Sequence, residues 1–341
     1  MQKSSSPTRT NGFNSVVPKP FDPNTLSQFR TIDSLLTGAT EVVYSEKLDE
    51  IIVSGFMRRD ENFQIRVYDG KTFALKAEKE AHKMPIHKLM LLPEELLATV
   101  SVDKTVKIWR LIGLEVVHQF KLQYEPLDLC VNSALLAAII VGKSPKISCY
   151  DIKTGSLMAE VSGASAEGYN TCVFLKDLNV LVAGLITSYS AHVIDCMSST
   201  VIATIEGSKT LNPTNGIQLV EPNQVVLSSD NTITTWDLSD PKNPKQLVQI
   251  SSPVTKINHF YAIPEEDIIL FTHNGPSLYF HRYNDGTFVK AVPTKLHKCR
   301  SIKHVKTTDR ILVTDSEEGN VGIFVKKEKS SKNACAGCAI F

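Results

Sequence analysis

LLATVSVDKTVKIWR, residues 96–110, reads as two short strands and the tight turn that joins them. Leu96, Leu97, Ala98 and Val100 form an apolar run ending at Ser101; Val106, Ile108 and Trp109 form a second. Val, Ile and Trp suit a pleated, buried surface. Asp103-Lys104 supply the turn, because an Asp carboxylate accepts hydrogen bonds from nearby backbone amides. Residues 229–238, SDNTITTWDL, repeat the design: Asp230, then Trp236 six residues on, then Asp237.

Outward from these two stretches the chain is a succession of short runs rich in Val, Ile and Thr, punctuated by Asp, Asn, Gly and Pro. That pattern fits strands and not helices. The runs fall into groups of four from Glu41 onwards. Matching positions in the first run of each group (Val43, Leu89, Leu129, Val173, Leu219, Asn258 and His304) recur at roughly 40–46 residues, the period of a four-stranded propeller blade. The seventh group has only three runs, ending at Val325. An open last blade would leave an unpaired strand edge. One orphan strand, at about residues 29–37 (Phe29, Ile32, Leu35, Leu36), is available to complete it.

Ser101-x-Asp103-x-Thr105 followed by Trp109, and Asp230 followed by Trp236-Asp237, resemble the WD-repeat family. The resemblance covers roughly residues 29–325. It implies an all-β fold, a β-propeller of seven four-stranded blades, with the N-terminal strand closing the last blade. It also implies a structural polar network in the second blade: His82 in the entering loop, Ser101 (or Thr99), Asp103 and Trp109. The fifth blade keeps Asp230 and Trp236 but has Gly207-Ser208 where Gly-His is expected, and Tyr68-Asp69 and Tyr150-Asp151 stand where Trp-Asp would. The fourth, sixth and seventh blades match by spacing alone. Family membership implies a rigid platform that binds proteins or peptides on its faces and does no catalysis of its own.

Composition narrows the function classes. The 341 residues are 42% hydrophobic, enough for a full core. Lys plus Arg number 37 and Asp plus Glu 36, so no global field pulls the chain towards nucleic acid. No apolar run approaches the roughly 18 residues of a membrane helix. The first residues, MQKSSSPTRTNG, lack the apolar centre of a signal peptide. Seven cysteines are scattered; the first five lie mostly in apolar runs, as buried small hydrophobes of a reducing, cytoplasmic compartment would. Residues 1–27, rich in Ser, Pro, Asn and Thr, read as a disordered arm.

Candidate chemistry is sparse. His82, Asp103 and Trp109 read as structural by the resemblance. His297, Cys299 and His304 have some metal-ligand character, yet no matching ligand pair accompanies them, so no metal or cofactor is expected. Glu94-Glu95, Glu265-Glu266-Asp267 and Glu317-Glu318 read as solvated turns, and Arg58-Arg59 as loop charges beside Asp60 and Glu61. There is no phosphate loop, nucleophile elbow or zinc helix. A small-molecule substrate is not expected.

The tail, residues 326–341, carries one specific expectation. Its last four residues, CAIF, match a prenylation box with Cys338 as acceptor, and a terminal Phe favours geranylgeranyl. Lys326, Lys327, Lys329 and Lys332 offer a basic patch to an anionic leaflet, and Cys335 a palmitoylation site. Cys335-x-x-Cys338 alternatively reads as half a zinc site, and the tail as unmodified. The leading expectation is a scaffold or adaptor, peripheral on the cytoplasmic face of a membrane. The alternative is a soluble subunit of a cytosolic or nuclear complex, such as a ubiquitin-ligase substrate receptor.

Overall fold

The computed structural model describes residues 23–326, apart from positions 35, 59–60, 208–212 and 253–255. Strand β1 is Leu26–Ile32. The first blade follows: Gly38–Ser45, Glu50–Met57, Asn62–Asp69 and Leu75–His82 (β2–β5). The second is Ile86–Leu92, Leu96–Ser101, Thr105–Arg110 and Glu115–Lys121 (β6–β9). The third is Pro126–Asn132, Ala137–Gly142, Ser144–Asp151 and Leu157–Ser162 (β10–β13). The fourth is Tyr169–Leu175, Val180–Leu185, Ser190–Asp195 and Thr200–Glu206 (β14–β17). The fifth is Gly216–Glu221, Gln224–Ser229, Thr232–Asp237 and Lys245–Ser251 (β18–β21). The sixth is Ile257–Ile263, Ile268–His273, Ser277–Arg282 and Phe288–Pro293 (β22–β25). The seventh is Cys299–Val305, Arg310–Asp315 and Val321–Lys326 (β26–β28) with β1 added at its outer edge.

The fold is therefore all-β, seven antiparallel sheets of four strands each, and the N-terminal strand completes the last. Leu26 pairs with Lys326 and Ile32 with Val321. This strand begins earlier than the sequence led us to expect, because Leu26 and Ser27 already pair with Lys326 and Val325. The chain between Ile32 and Gly38 then leaves β1 to enter the first blade. Phe29, read as part of the buried pattern, sits at a register break between Gln28 and Arg30 and is exposed. The rest of the expected disordered arm, residues 1–22, lies outside the described residues.

Each blade is a sheet that needs a neighbour on either face to cover it, so the core divides into seven wedges, one between each pair of adjacent blades. Between blades one and two, Val43, Ile52 and Ile65 meet Leu89, Leu97 and Trp109. Between blades seven and one, Leu312 and Ile323 meet Val42, Tyr44 and Ile51, joined by Ile32 and Leu36 from the closing segment. That last wedge makes the ring continuous. Gly319, in the hairpin between β27 and β28, has φ +73, and a Cβ there would stand 1.9 Å from the Leu36 carbonyl oxygen. Only glycine lets the closing segment pass at that distance.

The inner strands β2, β6, β10, β14 and β22 each break register after their first one or two residues, so the residue that follows the break is equivalent in all five: Glu41, Lys88, Asp128, Thr171 and His259. The next residues are then Val42, Leu89, Leu129, Cys172 and Phe260. The repeat period read from the sequence stands, but its phase holds only for Leu89 and Leu129. Val43, Val173 and Asn258 are displaced by one or two residues. The cause is the bulge, which adds a residue that no alternation pattern reveals.

Candidate functional site

Two sets of polar residues qualify for attention: the hydrogen-bonded networks inside the blades and the lining of the central channel. In the second blade His82 ends β5, where it is fully covered. Its Nδ1 lies 2.8 Å from Asp103 Oδ2 and its Nε2 lies 2.7 Å from Thr99 Oγ1. Trp109 Nε1 donates to the same Thr99 oxygen at 3.0 Å. Thr105 donates to Asp103 from its hydroxyl at 2.6 Å and from its backbone amide at 3.0 Å.

Proton positions follow from this geometry. The Trp109 N–H can only donate, so the Thr99 hydroxyl passes its own proton to His82 Nε2, and His82 Nδ1–H donates to Asp103. A neutral imidazole satisfies every bond. Burial lowers the His82 pKa against the pull of Asp103. Burial also works against the Asp103 carboxylate, but the bonds from His82 and Thr105 outweigh it and hold the group down at about 2. His82, Asp103, Thr99, Thr105 and Trp109 are thus engaged with one another.

Of the two hydroxyl residues offered for this junction, Thr99 and Ser101, Ser101 takes a different place. Its hydroxyl donates to the Met84 carbonyl at 3.1 Å and accepts from the Asp103 amide at 3.2 Å, so it pins the turn, while Thr99 joins His82 to Trp109. In the fifth blade Trp236 Nε1 donates to Thr234 Oγ1 at 2.9 Å, and Tyr189, from the fourth blade, meets that same hydroxyl at 2.8 Å. Among the described residues no hydrogen bond joins Asp230 to this set; its backbone carbonyl accepts from Ile257.

Sequence reading missed the substitutes used elsewhere. Tyr124, just ahead of β10, reaches Ser148 at 3.0 Å. Tyr68 and Arg66 both donate to the Ser34 carbonyl. Asp315, wholly buried, accepts from the amides of His297, Lys298 and Glu317. The signal for Tyr124 was present: a side chain able to hydrogen-bond through its tip, shortly before an inner strand, as His82 is before Ile86. The Asp residues of Tyr68-Asp69 and Tyr150-Asp151 cap hairpins by accepting from the amides at Lys71, Thr72, Lys153 and Thr154.

His297, Cys299 and His304 do not converge. His297 lies near Asp315 and Glu318, His304 bonds Asp309 at 3.1 Å, and the buried Cys299 thiol faces Thr294. Cys130, Cys172 and Cys299 are buried, while Cys196 is exposed, contrary to the expectation from its strand-like run. Glu95 and Glu265 pair with Lys47 and Lys306. The Arg58 amide donates to Thr37, and Arg59 and Asp60 lie outside the described residues. So do Lys327, Lys329, Lys332, Cys335 and Cys338; the backbone of Lys326 ends β28.

The channel was not foreseen as a site. It is a cavity of about 820 Å³ bounded by the inner strands. Lys88 Nζ stands 3.5 Å from Asp128, whose Oδ2 also accepts from the Thr171 hydroxyl at 2.8 Å and the Cys172 amide at 3.1 Å. Ser301 donates to Glu41 at 3.3 Å. Asp128 holds the Lys88 ammonium above its ordinary pKa. Burial raises the Glu41 carboxyl, against the nearby Lys88 and Arg300. Burial lowers Lys303, and Lys88 lowers it further; its ammonium stands over the Tyr261 ring, 5.7 Å from the centroid. His259 is pushed down to about 3, by burial first and then by Lys88, Lys303 and Arg300.

No family model matches the chain, and no protein of curated function matches it in sequence. Among solved structures, the β-propeller domain of Cps50 (Swd1) from Myceliophteria thermophila matches with a TM-score of 0.75 at 15% identity. The match covers 88% of this chain and 99% of that one. This chain is a seven-bladed β-propeller. At such identity the likeness is one of fold, and fold by itself assigns no function. Among the described residues no helix is long and apolar enough to cross a membrane.

Proposed function

We propose that this chain is a non-catalytic scaffold or adaptor that holds protein partners on the faces of its propeller. The observation that carries this reading is the closed ring, in which β1 seals the seventh blade and a wedge of core joins blade seven to blade one. A closed ring presents loops from all blades in fixed relative positions, which is what a binding platform requires. The most conspicuous acid–base group, His82 with Asp103, is engaged within its own blade and supports a structural role.

The finer reading rests on sequence. Where Phe341 is the carboxy-terminus of the protein in the cell, CAIF makes Cys338 a geranylgeranyl acceptor. One lipid chain binds membranes only marginally, so the lysines of residues 326–332 and acylation at Cys335 would supply the second signal. The scaffold would then act at the cytoplasmic face of a membrane.

Intact mass of the protein from a eukaryotic host, combined with fractionation, tests this. The expected species has lost its last three residues and gained a C20 prenyl group and a methyl ester, and Cys338→Ser shifts it to the soluble fraction. An unmodified mass ending at Phe341, with equal membrane recovery for both forms, removes the lipid anchor and leaves a soluble complex subunit. Native sizing of either form should give a particle larger than 37.7 kDa. A bare monomer in gentle extracts contradicts the scaffold itself.

A further inference from the structure

The lining of the central channel carries more positive than negative side chains. Four cations line it, Lys88, Lys256, Arg300 and Lys303, against two carboxylates, Glu41 and Asp128. Glu125, which is not part of the lining, is already engaged by Lys143 and by the lining residue His87. Lys88 is satisfied by Asp128. Arg300 and Lys303 make no ion pair within 4 Å among the described residues; Glu41 acts on Arg300, and Glu46 on Lys303, from further off. His259 adds a second, independent observation: its Nδ1 is buried at the channel wall with no hydrogen-bond partner among the described residues.

These groups share one region. His259 occupies the same strand position as Glu41 and Lys88, directly after the register break of its inner strand. Lys303 projects into the channel two residues beyond Ser301, as Tyr261 does beyond His259. Arg300 stands one residue before Ser301, on the side where the inner strands begin. Val43, Met90 and Val173, at the position of Tyr261 on their own strands, make that level of the channel largely apolar.

We propose that the channel binds a small phosphate-bearing anion, held between Arg300, Lys303 and His259. A low-dielectric cavity focuses the field of unpaired cations and concentrates anions of matching size. Phosphate fits better than a lone carboxylate because its oxygens accept from several directions and its charge answers more than one cation. A cavity of about 820 Å³ has room for a phosphorylated small molecule. The Nδ1 of His259 is covered and unpartnered, and a turn of the ring towards the channel would give it the anion as acceptor or, on protonation, as counter-ion. The neighbouring Glu41 carboxylate opposes the anion, so its removal favours binding. This inference does not depend on the scaffold reading or on the lipid tail.

Titration calorimetry of the full chain with inorganic pyrophosphate in low-salt buffer tests the site, with the His259 ring resonances followed by NMR. Wild type should bind one anion per chain with a shift at His259. Lys303→Met and Arg300→Gln should each weaken binding roughly tenfold or more, and Lys303→Arg should retain it. Glu41→Gln should tighten it, an effect that loss of folding cannot imitate. Thermal unfolding of each free variant identifies any that fail to fold, and the Lys303→Arg and Glu41→Gln results then decide. The proposal is overturned by no binding at millimolar pyrophosphate, by binding that is equal in wild type and folded Lys303→Met, or by weaker binding in Glu41→Gln.

Discussion

At the scale of the residue, the second blade turns on Thr99. One hydroxyl accepts from Trp109 and donates to His82, so it serves two buried nitrogens at once. Thr99→Val keeps the volume and removes both bonds. Leaving buried polar groups unpaired should cost roughly 2–4 kcal/mol in urea unfolding. The account also predicts coupling: Trp109→Phe should cost less in the Thr99→Val background than in wild type. Additive losses would mean that the two residues act independently. This junction was only half legible in the sequence. Asp103 and Trp109 announce themselves through spacing, but Ser101 and Thr99 are both small hydroxyl residues on the same face of one strand, and only the register with β8 decides which one reaches the tryptophan. Asp230 shows the converse: it has the right spacing, yet its blade anchors Trp236 through Thr234 and a tyrosine from the neighbouring blade.

At the scale of the element, the missing fourth run of the last blade and the orphan strand near the N-terminus made ring closure legible. The bounds were less so, because β1 carries a bulge that exposes Phe29 and buries Leu26. The channel was illegible for a related reason. Its lining residues come from seven inner strands that each mix polar and apolar side chains, and the bulges put them out of phase in a linear reading. The closing segment offers a direct test of how tightly these elements are fitted. Gly319→Ala combines a left-handed backbone with a clash against the Leu36 carbonyl, and should destabilise by roughly 1–3 kcal/mol or more. Gly113 is the control: φ is +86, but a Cβ there meets nothing nearer than Glu115 Cγ at 3.8 Å. Gly113→Ala should therefore cost only the backbone strain, and equal losses at the two sites would remove the clash at Leu36 from the account.

At the scale of the whole molecule, stability should depend on histidine protonation. Burial lowers the pKa of His82, His192, His259, His273 and His281, to about 3 for His259. A folded-state pKa below the unfolded value of about 6.5 means that the unfolded chain binds more protons as pH falls. The stabilisation is complete above about pH 6.5 and declines below it, towards pH 3 in the case of His259. Glu41, raised by burial, acts in the opposite sense as a single group: its contribution is present below its unfolded pKa and lost as pH rises through the folded one. The urea midpoint should accordingly drop between pH 7.5 and pH 5.5, and a flat profile would contradict burial of these imidazoles.

The central claim is that one end of the chain closes the ring against the other, making a single rigid platform. Hydrogen exchange read by mass spectrometry tests it most directly, by comparing peptides that span Leu26–Ile32 with those that span Val321–Lys326. The account predicts that both strands are protected together, and that deleting residues 1–32 strips protection from Val321–Lys326. Rapid exchange across Leu26–Ile32 in the intact chain, with Val321–Lys326 unaffected by the deletion, would contradict it.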